Sequence, residues 1–334
     1  MDPKKKIAYA LIVLSVLSIL AVSLFKSRQK ESVTYSRALM GTIVQVTIME
    51  GAEERYDRAA EAAFTEIQRL EEIFSAYKGG SDVSRISKNA GESVQVSPST
   101  IEVLKTAVRV AELSNGAFDP TVGALGNLWG YSGEKGVVPT NEEIAKVLPL
   151  VDYRAIEINE AASKAGLKRK GMSLNLGGVA KGYIVNKAVD ALKREGVARG
   201  IIHAGGDMAV FQEDEKEPFS IGIQHPRKKH LLGRASVYNG AVATSGDYER
   251  FFEIGGRRYH HILDPRTGFP AEGTQSATVI AKDPTLADAL STAVFVMGPE
   301  AGMELIERLP DVEGVIVDSE GRVTKSSGFK GEIF

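Results

Sequence analysis

The sequence predicts an α+β fold with mainly antiparallel sheets, preceded by one N-terminal transmembrane helix. Three observations carry that expectation. β-Branched, partly alternating segments are interspersed with amphipathic ones, without the strict strand–helix alternation of a parallel α/β sheet. Of 334 residues, 43% are hydrophobic and 25% charged, which suffices to bury one large core or two smaller ones. Residues 7–25 form an unbroken uncharged run between Lys4, Lys5 and Lys6 on one side and Lys26, Arg28 and Lys30 on the other.

That run is just long enough to span a bilayer as a helix. A cleaved signal peptide is the competing reading, with Ala21-Val22-Ser23 as a small-residue site, but signal peptides carry shorter apolar stretches. The reading adopted is an anchor or signal segment over 1–30 followed by one domain over 31–334. With the α-amine counted, positive charge is slightly denser on the N-terminal side, which predicts a cytoplasmic N-terminus, a single pass through the inner membrane and a domain on the outer or periplasmic side. Without residues 1–30 the chain keeps 35 basic and 42 acidic side chains, a net charge of −7. Nucleic acid is therefore excluded as a partner. Zero cysteines exclude disulfides, thiolate nucleophiles, zinc fingers and iron–sulfur ligation.

Along the chain, residues 32–49 end in "GTIVQVTIM", a β-branched run read as a strand. Ala60, Phe64, Ile67, Leu70, Ile73 and Phe74 recur at helical spacing and predict a long helix over 53–77, with Glu53 and Glu54 at its favourable end. "VSPST" starts a second helix that Asn115-Gly116 stops. Residues 116–140 read as a long Gly-rich loop holding the single tryptophan. Next come a strand, "GGVAKG", a helix over 183–195, the strand "GIIHA" and several short strands to "GAVATSGD". A hairpin turning at Gly255-Gly256 precedes strand 275–280, helices over 286–297 and 299–309, and strand 314–318.

Three segments offer chemistry. In "LNLGGVAKGY" a strand runs through paired glycines into a helix whose first turn bears Lys181. Free N–H groups, the helix dipole and an ammonium can converge there on one anion. A tight turn with an exposed lysine fits the same spacing. It is neither a Walker loop nor a dinucleotide fingerprint, because Gly-x-Gly never occurs. Asp288 and Thr292, four apart, are hard-oxygen ligands suited to Mg²⁺, or else a first-turn helix residue and a back-bonded core residue. "YHHILDPRTG" puts two histidines beside an aspartate, the usual apparatus for moving protons near neutral pH. Zinc is excluded there, since no His-x-x-x-His spacing exists.

"ALMGT", "SAYKGGSDVSRI", "GAFDPTVG", "LNLGGVAKGY", "HAGGDM", "AVATSGDYERFF", "HHILDPRTG" and "ADALSTAVF" occur in the order found in the FAD:protein FMN transferases. The chain resembles that family, known as ApbE, over nearly its whole length after about Thr34. The resemblance implies an ApbE-like mixed fold with an FAD cleft. It also implies Mg²⁺-dependent transfer of FMN from FAD to a threonine of an acceptor flavoprotein, with release of AMP. The acceptor it implies is a redox subunit of a membrane ion-pumping complex.

By the same resemblance, Met40 and Tyr77 are flavin contacts, Tyr77 by stacking, and Ala117, Phe118 and Asp119 form the adenosine-side loop. Asn175 and Lys181 match FAD contacts at the phosphate turn, and Ile262 a backbone contact. Gly178 (through its carbonyl), Asp288 and Thr292 match the metal site. His261 matches the base that takes the acceptor's proton, with His260 as a mere neighbour; on the physical reading, Asp264 orients His261. Two positions depart from the pattern: Asn175 replaces an expected aspartate, and Ser291 stands where some members carry another acid. Hydrolysis of FAD, with water in place of the threonine, is the nearest competing reaction. A non-catalytic flavin carrier would have lost His261, Asp288 or Thr292, and all three are present.

Overall fold

The computed structural model describes residues 32–131, 136–215 and 217–334. The predicted anchor over 1–30 lies outside the described residues. Among the described residues, no helix is long and apolar enough to cross a membrane.

In chain order, the fold opens on the hairpin β1 (Val33–Leu39) and β2 (Thr42–Gly51), followed by helices α1 (Tyr56–Phe74), α2 (Asp82–Lys88) and α3 (Pro98–Leu113), with β3 (Ser93–Gln95) between the last two. Helices α4 (Gly123–Trp129) and α5 (Asn141–Val147) lead to strands β4 (Ile156–Asn159) and β5 (Lys164–Leu167). Helix α6 (Ala180–Arg194) is followed by β6 (Val197–Ala204), β7 (Asp207–Gln212), β8 (Phe219–Gln224), β9 (Leu231–Val237) and β10 (Gly240–Gly246). The chain closes with the hairpin β11 (Phe251–Ile254) and β12 (Arg257–His260), β13 (Thr274–Ala281), α7 (Pro284–Met297), α8 (Pro299–Arg308), β14 (Val312–Asp318), β15 (Val323–Lys325) and β16 (Gly331–Ile333).

The central sheet runs β1-β2-β6-β7-β10-β13-β14-β15, and each neighbouring pair is antiparallel. The alternation of its strands explains the layering, since successive side chains face opposite sides. On β10, Ala241 and Ala243 enter the core beneath α1, α3, α6, α7 and α8, whereas Val242 faces the other way. There it joins a smaller core closed by the β16-β9-β8 sheet. Side chains such as Ile67 and Leu70 on α1, Leu104 on α3 and Phe295 on α7 are fully buried, and each contributes roughly 1.5–3 kcal/mol.

The structure refines several expectations. The strand expected over 32–49 is a hairpin, because Met40 (φ +53°) and Gly41 (φ +70°) both turn left-handed and pair Leu39 with Thr42. The long loop over 116–140 contains α4, whose Leu125 and Trp129 pack with Ile144 and Leu263 into a third cluster. Helix α1 ends at Phe74, three residues short of the predicted stop. The Gly255-Gly256 hairpin and α7 stand where the sequence puts them. Asp283 caps α7 by accepting from the Thr285 N–H at 2.9 Å, with Pro284 in the first turn.

Candidate active site

Helices α6 and α7 meet at Gly182. A Cβ there would stand 2.2 Å from the Pro284 carbonyl oxygen and 2.7 Å from the Asp288 Cβ, so only glycine permits this approach. The closeness lets the Gly182 N–H donate to Asp288 Oδ2 at 2.8 Å. The anion at the start of α6 is thus a carboxylate of the protein itself. The sequence suggested first-turn N–H groups open to a ligand, and the structure gives one of them to Asp288.

Lys181 Nζ lies 3.3 Å from Oδ2 of Asp207, the first residue of β7. Both Asp207 and Asp288 are 4% exposed. Burial pushes the Asp207 carboxyl up, and Lys181 only partly offsets this. Asp288 is pushed well above the ordinary carboxylate range, first by burial and then by Asp207. For Lys181, burial alone would favour the neutral amine, but Asp207 and then Asp288 outweigh it and raise its pKa. Two buried carboxylates therefore share one ammonium.

Hydroxyls line the neighbouring surface. Ser245 Oγ on β10 is 2.9 Å from Ser291 Oγ and 3.1 Å from Thr292 Oγ1 on α7. Ser291, not Thr292, bonds back into the helix, donating to the Asp288 carbonyl at 2.8 Å. The phosphate turn closes over these groups: a Cβ on Gly178 would stand 2.9 Å from Thr292 Oγ1 and 3.3 Å from the Phe118 ring. Asn175 shapes the turn, accepting from the Gly177 N–H at 2.8 Å, and its own N–H donates to the Pro120 carbonyl at 2.8 Å. Gly178, Lys181, Asp288 and Thr292 are thereby brought together, as the sequence implied.

The donor set suits a hard divalent cation. Carboxylate, hydroxyl and backbone oxygens are the ligands Mg²⁺ takes, and two carboxylates facing one ammonium leave negative charge to neutralise. Asp207 Oδ2 is answered by the Lys181 ammonium, which leaves Asp288 as the carboxylate for a cation. Among the described residues no group of three or more His, Cys, Asp or Glu could hold a metal.

His261 is half-buried after β12. Its backbone N–H donates to the Arg250 carbonyl at 3.0 Å, and its Nδ1 lies 3.1 Å from the same oxygen. A carbonyl only accepts, so Nδ1 carries the proton and Nε2 the lone pair. Burial lowers the pKa to about 4; the Arg250 carbonyl opposes this, while Arg250, His260 and Lys181 depress it further. Lys181 is thus close enough to bias the imidazole. His260 is buried, with Nε2 2.9 Å from the Ala271 carbonyl and its ring edge-on to Phe295 at 5.5 Å, a packing residue.

Asp264 does not orient His261. Its carboxylate receives Arg266 Nε and Nη2, each at 2.8 Å, and the Arg266 N–H at 2.9 Å, and so fastens the "DPRTG" turn. Trp129 Nε1 donates to the Gly268 carbonyl at 2.8 Å and braces that turn from below.

The other expected contacts are scattered around this centre. Met40 sits at the strained β1–β2 turn, and Arg250 reaches to within 3.5 Å of a Cβ position on Gly41. Tyr77 is 68% exposed, its ring free to stack. Ala117, Phe118 and Asp119 are buried. Asp119 accepts from the Thr121 N–H (2.8 Å), the Thr121 hydroxyl (2.6 Å) and the Tyr153 N–H (2.9 Å), so its carboxylate serves the loop. The Ile262 carbonyl is taken by the Ala271 N–H at 2.9 Å. Sequence reasoning missed Asp207 and Ser245. The signal for Asp207 was present: paired glycines set an acid at the first position of a strand.

Residues 40–316 match the model of the ApbE family. The FAD:protein FMN transferase of Treponema pallidum is 33% identical over 317 residues, covering 88% of this chain and 87% of that protein. That of Vibrio cholerae is 35% identical over 281 residues, covering 80% and 83%. The crystal structure of the ApbE protein from Thermotoga maritima superimposes with a TM-score of 0.83 at 36% identity, covering 89% of this chain and 97% of that one. Fold and relatives together define a flavin transferase. The chain belongs to the ApbE family.

Proposed function

We propose that this protein transfers FMN from FAD to a threonine of an acceptor flavoprotein through a phosphoester bond, releasing AMP. The observation that carries the reading is the convergence of Lys181, Asp207 and Asp288 at the α6–α7 junction, within electrostatic reach of His261. FAD's diphosphate supplies the anion that Lys181 pairs with. His261 Nε2 accepts the threonine proton as the hydroxyl oxygen attacks the FMN-side phosphorus, and the bond to AMP breaks. Mg²⁺, held by Asp288, Thr292 and the Gly178 carbonyl, supplies charge neutralisation on the diphosphate when bound. Phosphoryl transfer asks little covalent help of the protein, so positioned charge and a positioned base suffice.

Tyr77 and the Met40 turn receive the flavin in this reading, and Ala117, Phe118 and Asp119 border the adenosine side. Residues 1–30 anchor the chain in the inner membrane by a single pass and hold the domain over 31–334 on the outer or periplasmic side. The acceptor is a subunit of a membrane redox complex. The apolar run of residues 7–25 and the basic residues before it support this placement.

The test incubates the purified chain with FAD, Mg²⁺ and a threonine-bearing acceptor subunit, following acceptor mass and AMP, with His261→Ala and Asp288→Ala alongside. An FMN-sized mass gain lost in both variants is the expected result. AMP without labelled acceptor would assign the chain to hydrolysis instead.

A further inference from the structure

Asp207 belongs to the convergence described above but has been given no task of its own, and its position is tightly built. Gly205 turns left-handed at φ +63°, and a Cβ on Gly206 would stand 2.7 Å from the Thr244 carbonyl oxygen. The Gly205-Gly206 turn therefore presses the start of β7 against β10, where Asp207 pairs with Ala243, one residue from Thr244 and two from Ser245. Asp207 Oδ2 is 3.3 Å from the Lys181 ammonium and has no other partner. A carboxylate buried to 4% exposure without other partners is costly, and truncating one member of such a pair leaves the other charge uncompensated. The site keeps this cost although Lys181 could reach solvent, its side chain being 29% exposed.

We infer that Asp207 is a positioning residue: it fixes the Lys181 ammonium over the phosphate turn, so that the lysine meets the FAD diphosphate already ordered. A free lysine side chain gives up its rotamer freedom each time it binds an anion. One held by a rigid strand has already lost that freedom in the empty enzyme. Asp207 touches neither the flavin nor the reacting phosphorus in this account and acts through Lys181. The inference rests on the assignment of Lys181 to the diphosphate.

The test measures the FAD dissociation constant by flavin fluorescence, without acceptor, for the full chain and for Asp207→Asn, Lys181→Met and the double variant. Asp207→Asn is expected to weaken FAD about tenfold, as loss of preorganisation does. Lys181→Met should weaken it at least as much, and the double variant should match Lys181→Met alone, since Asp207 then has nothing to hold. A second readout is independent of FAD. Acetic anhydride labelling of Lys181, followed by peptide mass, should speed up in Asp207→Asn while other lysines keep their rates. Asp207→Ser repeats the measurement should the asparagine variant fail to fold.

Wild-type affinity in Asp207→Asn, additive losses in the double variant, or unchanged labelling of Lys181 would each overturn the inference. Wild-type affinity in Lys181→Met would instead sink the diphosphate assignment, which makes the two failures distinguishable.

Discussion

The Nδ1 atom of His261 and the carbonyl oxygen of Arg250 lie 3.1 Å apart. That one contact decides the tautomer, because the carbonyl has no proton to give. It leaves Nε2 as the basic atom. A backbone group thus does what an aspartate does in many proton-transfer pairs, and it adds no negative charge to a site already holding two buried carboxylates.

The first prediction concerns pH. Burial lowers the His261 pKa to about 4, so the imidazole is neutral through the physiological range. The acid limb of FMN transfer should therefore fall near pH 4 and not near the usual histidine value of about 6.5. Stability follows the same sign. The folded protein resists protonating this ring, so its contribution is complete above pH ~6.5 and is lost as pH falls through about 4. A pH–rate profile of His261→Ala with residual activity should lack this limb, whereas Asp264→Asn should keep it.

Asp288 behaves oppositely. Its raised pKa means that the folded protein favours the protonated acid. That stability is present below the unfolded value of about 3.9 and is lost as pH rises through the folded value. Metal-free Asp288→Asn should therefore melt at or above the wild-type temperature at pH 7, by roughly 1.5 °C per kcal/mol recovered, while transfer is abolished. Calorimetry without Mg²⁺ checks the first part, and acceptor mass after incubation with FAD and Mg²⁺ checks the second. A lower melting temperature in metal-free Asp288→Asn would argue that the carboxylate is there for stability.

Gly182→Ala tests the helix junction. Its Cβ would fall 2.2 Å from the Pro284 carbonyl oxygen, and backbone cannot swing aside as a flexible side chain can. A loss of about 1–3 kcal/mol is expected from overpacking, seen as a lower denaturation midpoint. FAD affinity should fall with it, since moving α6 carries Lys181 along.

Trp129→Phe removes the hydrogen bond to the Gly268 carbonyl and leaves that oxygen buried beside the "DPRTG" turn. About 1–3 kcal/mol of stability should be lost. Because Trp129 is the single tryptophan, the emission of the unaltered chain reports directly on the cluster it forms with Tyr131, Tyr259 and Phe269. Unfolding followed by that signal should coincide with far-UV circular dichroism if the turn melts with the core.

Much of this was legible in the sequence because its signals are local. Helical periodicity marked α1, start and stop signals marked α3, and paired glycines marked the β11–β12 turn. Asp288 and Thr292 share a helix, so their common face follows from their spacing. What stayed hidden depends on distant partners. Arg250's role lies in its carbonyl, which no residue type announces. Asp207 was visible within "HAGGDM", but its partner Lys181 lies on another element. The proximity of Asp264 to His261 in sequence misled, because a neighbouring arginine competes for the same carboxylate and wins. The β1–β2 hairpin was missed because Met at φ +53° breaks the rule that such turns take Asn, Asp or Gly.

The Gly182–Asp288 hydrogen bond spans 106 residues of chain, and the Trp129–Gly268 bond spans 139. Contacts of such sequence separation close large loops and form late, after local helices and hairpins have already appeared. Lys181, Asp207, His261 and Asp288 all lie in the C-terminal half of the chain, yet the central sheet that carries Asp207 takes its first two strands, β1 and β2, from the N-terminal half. A chain shortened past β2 would therefore keep every one of these side chains and lose two strands of the sheet beneath them.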